Sequence, residues 1–184
     1  ALLVWHLVQG NPREADDVHD KMRGAFLGPE FPDDEIQAWL ESRGYPARKL
    51  SSTEWAPEIA RLIDEQQVIG LLQGRMEFGP RALRNRSILA DPRSPTAQKH
   101  LNLKIKFRES FRPFAPSVLR EDLSEWFDLD DDSPYMLFVA EVSDKRRVPK
   151  AAEDVLMFGI ERLNVPRSSI PAVTHVDYSA RIQT

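Results

Sequence analysis

The spacing of apolar residues predicts helices and strands in alternation along the chain. Helical periodicity covers Pro32–Gly44 and Ser51–Gln66, where apolar residues fall on one face and polar residues on the other. A third helix is predicted to begin after Ser94, with Pro95 at its first position. Ala1–Gln9 has the pattern of the end of a helix. The side chains expected to cap the three helices are Asp33 or Asp34, Ser52 or Thr53, and Ser94.

Short apolar or alternating runs predict four strands, of which Tyr135–Val142 has the clearest pattern. The others are Val68–Gly74, expected to be buried, Ser87–Asp91 and the alternating end of Pro171–Thr184. Asn11–Gly28 is polar and irregular and predicts a linker, and a helix is expected in the middle of the charged stretch 143–169. This mixture predicts an α/β or α+β fold with a mixed sheet flanked by helices.

Composition changes this picture little. The chain has 184 residues, of which 41% are hydrophobic and 29% are charged, as in ordinary globular proteins. It has no cysteine, which excludes disulfides and thiolate chemistry and is consistent with a cytoplasmic location. No apolar run is long enough to cross a bilayer, so no membrane partner is expected. Because Ala1 lies inside a helix-like pattern, we expect the chain to be part of a longer protein.

Basic residues are concentrated in one part of an acidic chain. Residues 75–112 contain ten Lys or Arg and three acids, a net charge of +7, whereas the whole chain carries −4. Such an island favours a local anionic ligand over general adhesion to nucleic acid or to a membrane. On charge alone, a solvated basic face paired with acids from elsewhere explains the island equally well.

The first basic cluster lies in Gln73–Arg93, directly after a predicted strand. Gly74 and Gly79 allow the backbone of this loop to approach a ligand closely. Guanidinium groups suit two-pronged binding of phosphate or carboxylate oxygens. The arginines expected near the top of the loop are Arg81, Arg84 and Arg86.

The second basic segment, Lys104–Phe114, alternates basic and apolar residues at its start. In an extended strand, Lys104, Lys106 and Arg108 would share one face, and Ile105 and Phe107 would face the core. Together the two clusters predict a polyanionic small molecule held by two segments. The chain has no Walker A, G-x-G-x-x-G or G-x-S-x-G motif, so P-loop, dinucleotide-binding and serine-hydrolase functions are not indicated.

Three motifs carry a resemblance to a known family. GRMEFGPRALRNRSILADPR, KFRESFRPFAPSVL and AVTHVDYSARIQT closely resemble the NodU/CmcH-type O-carbamoyltransferases, from about Phe26 to Thr184. In that family an actin-like, Kae1-like domain precedes a YrdC-like domain with a twisted mixed sheet. The resemblance implies that residues 1–25 are the end of the preceding domain and a linker. It also implies that residues 26–184 are the YrdC-like domain, incomplete at its C-terminus, where the family continues into a further ligand-contacting segment.

The resemblance also implies a reaction. The YrdC-like domain takes carbamoyl phosphate and ATP, forms carbamoyl-adenylate and releases pyrophosphate and phosphate, and the neighbouring domain passes the carbamoyl group to an acceptor hydroxyl. Preorganised cations would reduce the repulsion between two phosphorylated substrates and stabilise charge on the phosphoryl oxygens. Mg²⁺ is expected as the counter-ion of ATP, and no metal held by the protein is expected. The acceptor contacts should lie mainly in the preceding domain.

The motif positions assign the site residues. The resemblance assigns the carbamoyl-phosphate and phosphate clamp to Arg81, Lys106 and Arg112. Further substrate or nucleotide contacts are expected from Arg75, Arg86, Lys104, Arg108, His175, Asp177 and Arg181. For Arg108 and Arg112, structural ion pairs with Glu109, Glu121 or Asp122 are the alternative. His175 would, without the motif, be a hydrogen-bonded core histidine.

Two positions depart from the family pattern. The family usually has glycine where this chain has Arg84 and Tyr178. Glycine at such positions often indicates a positive φ or a close approach of a ligand, so either change could alter the site. Two other functional classes therefore stay open: a YrdC-like nucleic-acid-binding module, which the acidic chain makes less favourable, and a degenerate domain without catalysis.

Overall fold

The computed structural model of the chain describes residues 1–13, 16, 18–149 and 157–184. The helices are α1 (Asp33–Arg43), α2 (Trp55–Asp64), α3 (Ala97–Lys104) and α4 (Leu123–Trp126). The strands are β1 (Ile69–Leu72), β2 (Arg86–Leu89), β3 (Val139–Glu141) and β4 (Ser179–Arg181). A π-helical turn covers Val4–Val8, and short 3₁₀ turns cover Arg23–Ala25, Arg120–Asp122, Asp144–Arg146, Gly159–Asn164 and Pro171–Val173. The predicted α+β class is confirmed.

The strands in the described ranges form two separate antiparallel pairs, in place of one twisted mixed sheet. β1 pairs with β2, with Ile69 opposite Leu89 and Leu72 opposite Arg86. β3 pairs with β4 so that Val139 lies opposite Arg181. A parallel contact is made by an isolated bridge between residues 117 and 183. Residues 73–85, called the basic loop below, are therefore the connection between the two strands of the first pair.

The core lies on one face of the second pair. Its buried residues are Leu123, Phe127, Val142, Ile170, Val173, Ala180 and Ile182. Ala180 and Ile182 are completely buried, and Arg181 between them lies on the opposite face of β4 because side chains alternate along a strand. The apolar core thus fixes the direction in which this arginine leaves the sheet.

Helix positions agree with the sequence, whereas the helix caps do not. α1 ends at Gly44, whose φ of 67° is left-handed, as expected for a C-terminal glycine. The N-cap positions of α1, α2 and α3 are Pro32, Glu54 and Thr96, and no side chain caps these helices by a hydrogen bond. The predictions of capping by Asp33 or Asp34, Ser52 or Thr53, and Ser94 are therefore wrong.

The second basic segment is not the predicted strand. Lys104 is the last residue of α3, and the chain then turns away through Phe107, whose φ is 48°. Phe107 is 84% exposed and does not face the core. The alternation of basic and apolar residues was misleading because α3 continues to the beginning of this segment. Lys104, Lys106 and Arg108 therefore do not share one face of a strand.

Two further strand predictions need correction. β1 alternates between half-buried and exposed residues, so it is not the fully buried strand that its apolar run predicted. His175 precedes β4 in a turn and does not lie on an alternating strand.

The predicted helix in the middle of 143–169 falls largely on residues 150–156, which lie outside the described ranges. The domain boundary between residues 25 and 26 stays a prediction.

The segment before α1 packs against the basic loop. The Gly28 N–H donates to the Met76 carbonyl (2.9 Å), the Met76 N–H donates to Pro29 (3.0 Å), and the Phe78 N–H donates to Ala25 (2.7 Å). Tyr135 ties the same segment to the other half of the chain, because its hydroxyl donates to Asp20 and accepts from the Gly24 N–H. The loop is thus supported by the segment that precedes α1.

Candidate anion-binding site

A buried carboxylate shapes the basic loop. Glu77 is 4% exposed, and its Oε1 accepts the backbone N–H groups of Leu83 (2.8 Å), Asn85 (2.7 Å) and Arg86 (3.1 Å). Burial alone would raise the pKa of Glu77, but these hydrogen bonds outweigh burial and the pKa is lowered. Glu77 is therefore ionised at neutral pH, at the base of the arginine loop, Glu77–Arg86. No feature of the sequence had indicated a role for this residue.

Arg86 is held within the arginine loop. Its Nε lies 3.3 Å from Glu77 Oε2, and its Nη2 donates to the Gly79 carbonyl and, at 3.5 Å, to that of Arg81. These contacts link the base of the loop to its tip. Much of the donor capacity of Arg86 is consequently used inside the loop, whereas the predicted role was a substrate contact.

Arg81 and Arg181 interact electrostatically in the structure. Arg81 is exposed in the arginine loop, and Arg181 is half-buried at the end of β4. Burial, and secondly the charge of Arg81, lower the pKa of Arg181. The buried Arg181 Nε has no hydrogen-bond partner among the described residues. Two predicted site residues far apart in sequence thus interact electrostatically, and one of them has an unsatisfied buried donor.

A buried amide folds the second basic segment onto α3. Asn102 is completely buried, and its Nδ2 donates to the carbonyls of Ser110 (3.0 Å) and Arg112 (2.8 Å). Its Oδ1 accepts the Arg108 Nε at 2.6 Å. Gln98, one turn earlier, donates to Phe111 and Arg112. Asn102 was missed in the sequence because nothing in the motif distinguishes a buried amide from an exposed one.

The cations of the second segment differ in what they contact. Arg108 stacks on Phe114, with the guanidinium carbon 4.9 Å from the ring centroid. Arg112 pairs with Glu109 at 2.8 Å, which realises the ion-pair alternative for that residue. Both partners are about half exposed, so this pair adds little stability and can open for a ligand. Lys104 and Lys106 are exposed, and Arg75 lies 4.0 Å from Glu30.

The motif HVDYSAR forms a turn that leads into β4. The His175 N–H donates to the Ser179 carbonyl (2.9 Å), and the Tyr178 N–H donates to His175 (3.0 Å). Asp177 Oδ1 accepts the hydroxyl and the N–H of Ser179, which lowers the pKa of Asp177. These contacts stabilise the turn from which Arg181 emerges. The predicted ligand roles of His175 and Asp177 stay predictions.

The two positions where the family usually has glycine both have left-handed backbone. Arg84 has φ of 95° and Tyr178 has φ of 67°. Arg84 also places its guanidinium 5.6 Å from the centroid of the Phe26 ring. A positive φ is unfavourable for a residue with a Cβ, which gives a physical reason for the family's glycine at both positions. This chain has a positive φ at both positions in spite of their side chains.

We expect Arg84→Gly to be more stable than Arg84→Ala by about 1 kcal/mol. Both variants lose the contact with Phe26, so the comparison isolates the strain of a Cβ at this φ. Urea unfolding of the two variants measures the difference. Equal midpoints would show that the backbone relaxes to negative φ when the arginine is removed.

Among the described residues, no group of three or more His, Asp or Glu side chains is arranged to hold a metal ion. In the same residues, no helix combines the length and the apolar character needed to cross a bilayer.

Comparison with known proteins identifies the family. Residues 60–184 match the family described as "Carbamoyltransferase C-terminus". The chain is 39% identical to the nodulation protein NolNO of Sinorhizobium fredii over 97% of its length, and 38% identical to 3'-hydroxymethylcephem-O-carbamoyltransferase of Amycolatopsis lactamdurans over 86%. It is also 50% identical along its whole length to an uncharacterized protein of Synechocystis.

The chain therefore belongs to the carbamoyltransferase C-terminus family, as its motifs predicted. It spans only 23% of the NolNO protein, 27% of the cephem carbamoyltransferase and 30% of the Synechocystis protein. These relatives are thus much longer than the chain, as expected for a protein with a further domain.

Proposed function

We propose that this chain is the part of an ATP-dependent O-carbamoyltransferase that forms carbamoyl-adenylate from carbamoyl phosphate and ATP. The single observation that supports this most directly is the buried Arg181 Nε, which has no hydrogen-bond partner among the described residues, in a guanidinium that also experiences the charge of Arg81. A buried donor without a partner costs free energy, and a second cation nearby raises that cost. A phosphoryl oxygen would satisfy the donor and neutralise the repulsion.

The proposed reaction needs cations rather than a protein nucleophile. Water cleaves carbamoyl phosphate to carbamate and phosphate, and a carbamate oxygen attacks the α-phosphorus of ATP. The bond to the β-phosphate then breaks and pyrophosphate leaves. Arg81 and Arg181 would bind the phosphoryl oxygens, and Arg112 would join them by releasing Glu109. Mg²⁺ would be supplied with ATP as its counter-ion.

Transfer to the acceptor would require the rest of a longer protein. The chain exposes 13,506 Å² of surface, whereas a self-contained globule of its mass exposes about 9,000 Å². The turn Val4–Val8 contributes to this excess, since Trp5 is 55% and Leu7 is 77% exposed. We propose that this turn packs against a preceding Kae1-like domain, and that the acceptor is a hydroxyl of a small molecule of the nodulation-factor or antibiotic type.

Pyrophosphate release tests the proposed function. We expect the full-length protein to release pyrophosphate only when ATP and carbamoyl phosphate are both present. Residues 1–184 alone should bind phosphates weakly and should not complete the transfer, because the acceptor contacts lie elsewhere. A colorimetric assay of pyrophosphate, with each substrate omitted in turn, makes the measurement. Release from ATP alone at the full rate would contradict the role of carbamoyl phosphate.

Exposed aromatic residues favour one other function. Phe78 is 72% and Phe107 is 84% exposed, and both lie beside basic residues, as in surfaces on which bases stack. The same rings could hold the adenine of ATP. Binding of single-stranded RNA with a steep dependence on salt would favour a nucleic-acid-binding module, whereas ATP binding in excess of RNA binding would exclude it.

A further inference from the structure

The Glu77 carboxylate occupies a place where an anion would otherwise bind. Three backbone N–H groups, those of Leu83, Asn85 and Arg86, converge on its Oε1. Such convergent amides form the concave nests that bind phosphate in many proteins. Because an internal carboxylate fills this nest, these three N–H groups of the arginine loop are not available to a phosphoryl group. The cationic side chains of the loop are then the groups proposed to bind the ligand.

The same carboxylate also controls the tip of the loop through Arg86. Its buried Oε2 lies 3.3 Å from the Arg86 Nε, an ion pair without hydrogen-bond geometry, and Arg86 in turn donates to the carbonyls of Gly79 and Arg81. The position of the Arg81 backbone therefore depends on a chain of contacts that begins at Glu77. Arg181 is fixed independently by β4, so the separation of the two arginines is set from the loop side.

We propose that Glu77 is a positioning residue, which holds the arginine loop in the shape that presents Arg81 to the anion beside Arg181. This inference rests on the proposed function for the nature of the anion. Glu77 itself makes no contact with the ligand. Its two oxygens have separate tasks, since Oε1 holds the backbone of the loop and Oε2 orients Arg86.

Two substitutions separate these tasks. Glu77→Gln keeps a carbonyl oxygen for the three N–H groups but places an amide donor against Arg86, so the backbone should hold while the tip shifts. Glu77→Ala removes both the acceptor for the three N–H groups and the contact with Arg86. Glu41→Gln, on the exposed face of α1, is the matched control. Each variant of the full-length protein is examined by amide hydrogen exchange over residues 79–86, by thermal unfolding and by the carbamoyl-phosphate dependence of pyrophosphate release.

We expect Glu77→Ala to accelerate exchange in residues 79–86 and Glu77→Gln to unfold near the wild-type temperature. Both should raise the KM for carbamoyl phosphate by roughly ten- to a hundredfold, with a smaller change in kcat, because misplaced binding groups weaken capture of the substrate. Wild-type exchange rates in Glu77→Ala overturn the proposal. Faster exchange in Glu77→Ala with an unchanged KM in both variants also overturns it, since Glu77 would then be structural only. If the wild-type protein has no activity with carbamoyl phosphate, the proposed function fails, and the exchange rates still decide whether Glu77 holds the loop.

Discussion

Replacing Arg181 by methionine in the full-length protein should lower pyrophosphate release by about a hundredfold or more while raising stability by about 1 kcal/mol. The loss of activity follows from removing a donor aimed at the phosphoryl oxygens. The gain in stability follows because Arg181 is partly buried beside Arg81, and its Nε has no partner in the described residues. Replacing a ligand-binding cation should therefore raise the free energy of unfolding, whereas replacing a structural cation should lower it.

Steady-state release of pyrophosphate and urea unfolding measure the two effects. Arg81→Ala and Lys106→Ala should each lower release by a similar factor, with little change in stability because both side chains are exposed. Arg43→Ala, on the exposed end of α1, serves as the control for loss of a surface arginine. Unchanged release in Arg81→Ala and Lys106→Ala would refute the assignment of the clamp. A parallel fall of activity and stability in Arg181→Met would assign Arg181 to the fold.

Replacing Asn102 by alanine should lower the free energy of unfolding by about 3 kcal/mol, because three hydrogen bonds of a buried side chain are lost together. The carbonyls of Ser110 and Arg112 and the Nε of Arg108 would lose a partner at the same time. The second basic segment would then detach from α3, and the KM for carbamoyl phosphate should rise. Urea unfolding and initial rates of the full-length variant measure both effects.

Gln98 provides the matched control for Asn102. It lies on the same helix and donates to the Arg112 carbonyl at 3.1 Å, but its hydrogen bonds are exposed to solvent. Gln98→Ala should therefore cost less than about 1 kcal/mol. Equal losses in the two variants would mean that burial of the Asn102 amide does not determine the conformation of the segment.

Local pattern was a good guide wherever one element determined its own structure. The stripes in Pro32–Gly44 and Ser51–Gln66 gave α1 and α2, and the glycine after the first stripe gave its C-terminus. The prediction of a strand at the start of the second basic segment was wrong because Lys104 continues α3. The alternation of basic and apolar side chains there fits a turn as well as a strand. Helical propensity of the preceding residues decided the outcome there.

The sequence predicted the charged residues of the site but not the residues that hold them in place. A loop rich in arginine after a strand and the HVDYSAR motif are visible in the sequence, and in the structure the charge of Arg81 acts on Arg181. Whether a given arginine serves the ligand or the fold depends on its neighbours in space. Arg86 has the same motif context as Arg81, yet it is engaged by Glu77 and by loop carbonyls. Glu77 and Asn102 act through burial, which a single sequence does not display.

The carboxylate inside the arginine loop has a consequence for the speed and strength of ligand capture. A flexible loop would lose roughly 1–2 kcal/mol of backbone entropy for each residue that its ligand has to order. The loop Glu77–Arg86 is instead held by hydrogen bonds and an ion pair of its own Glu77 side chain before any substrate binds. The binding energy of the phosphoryl groups is therefore available for catalysis, and encounter with the loop needs no folding step.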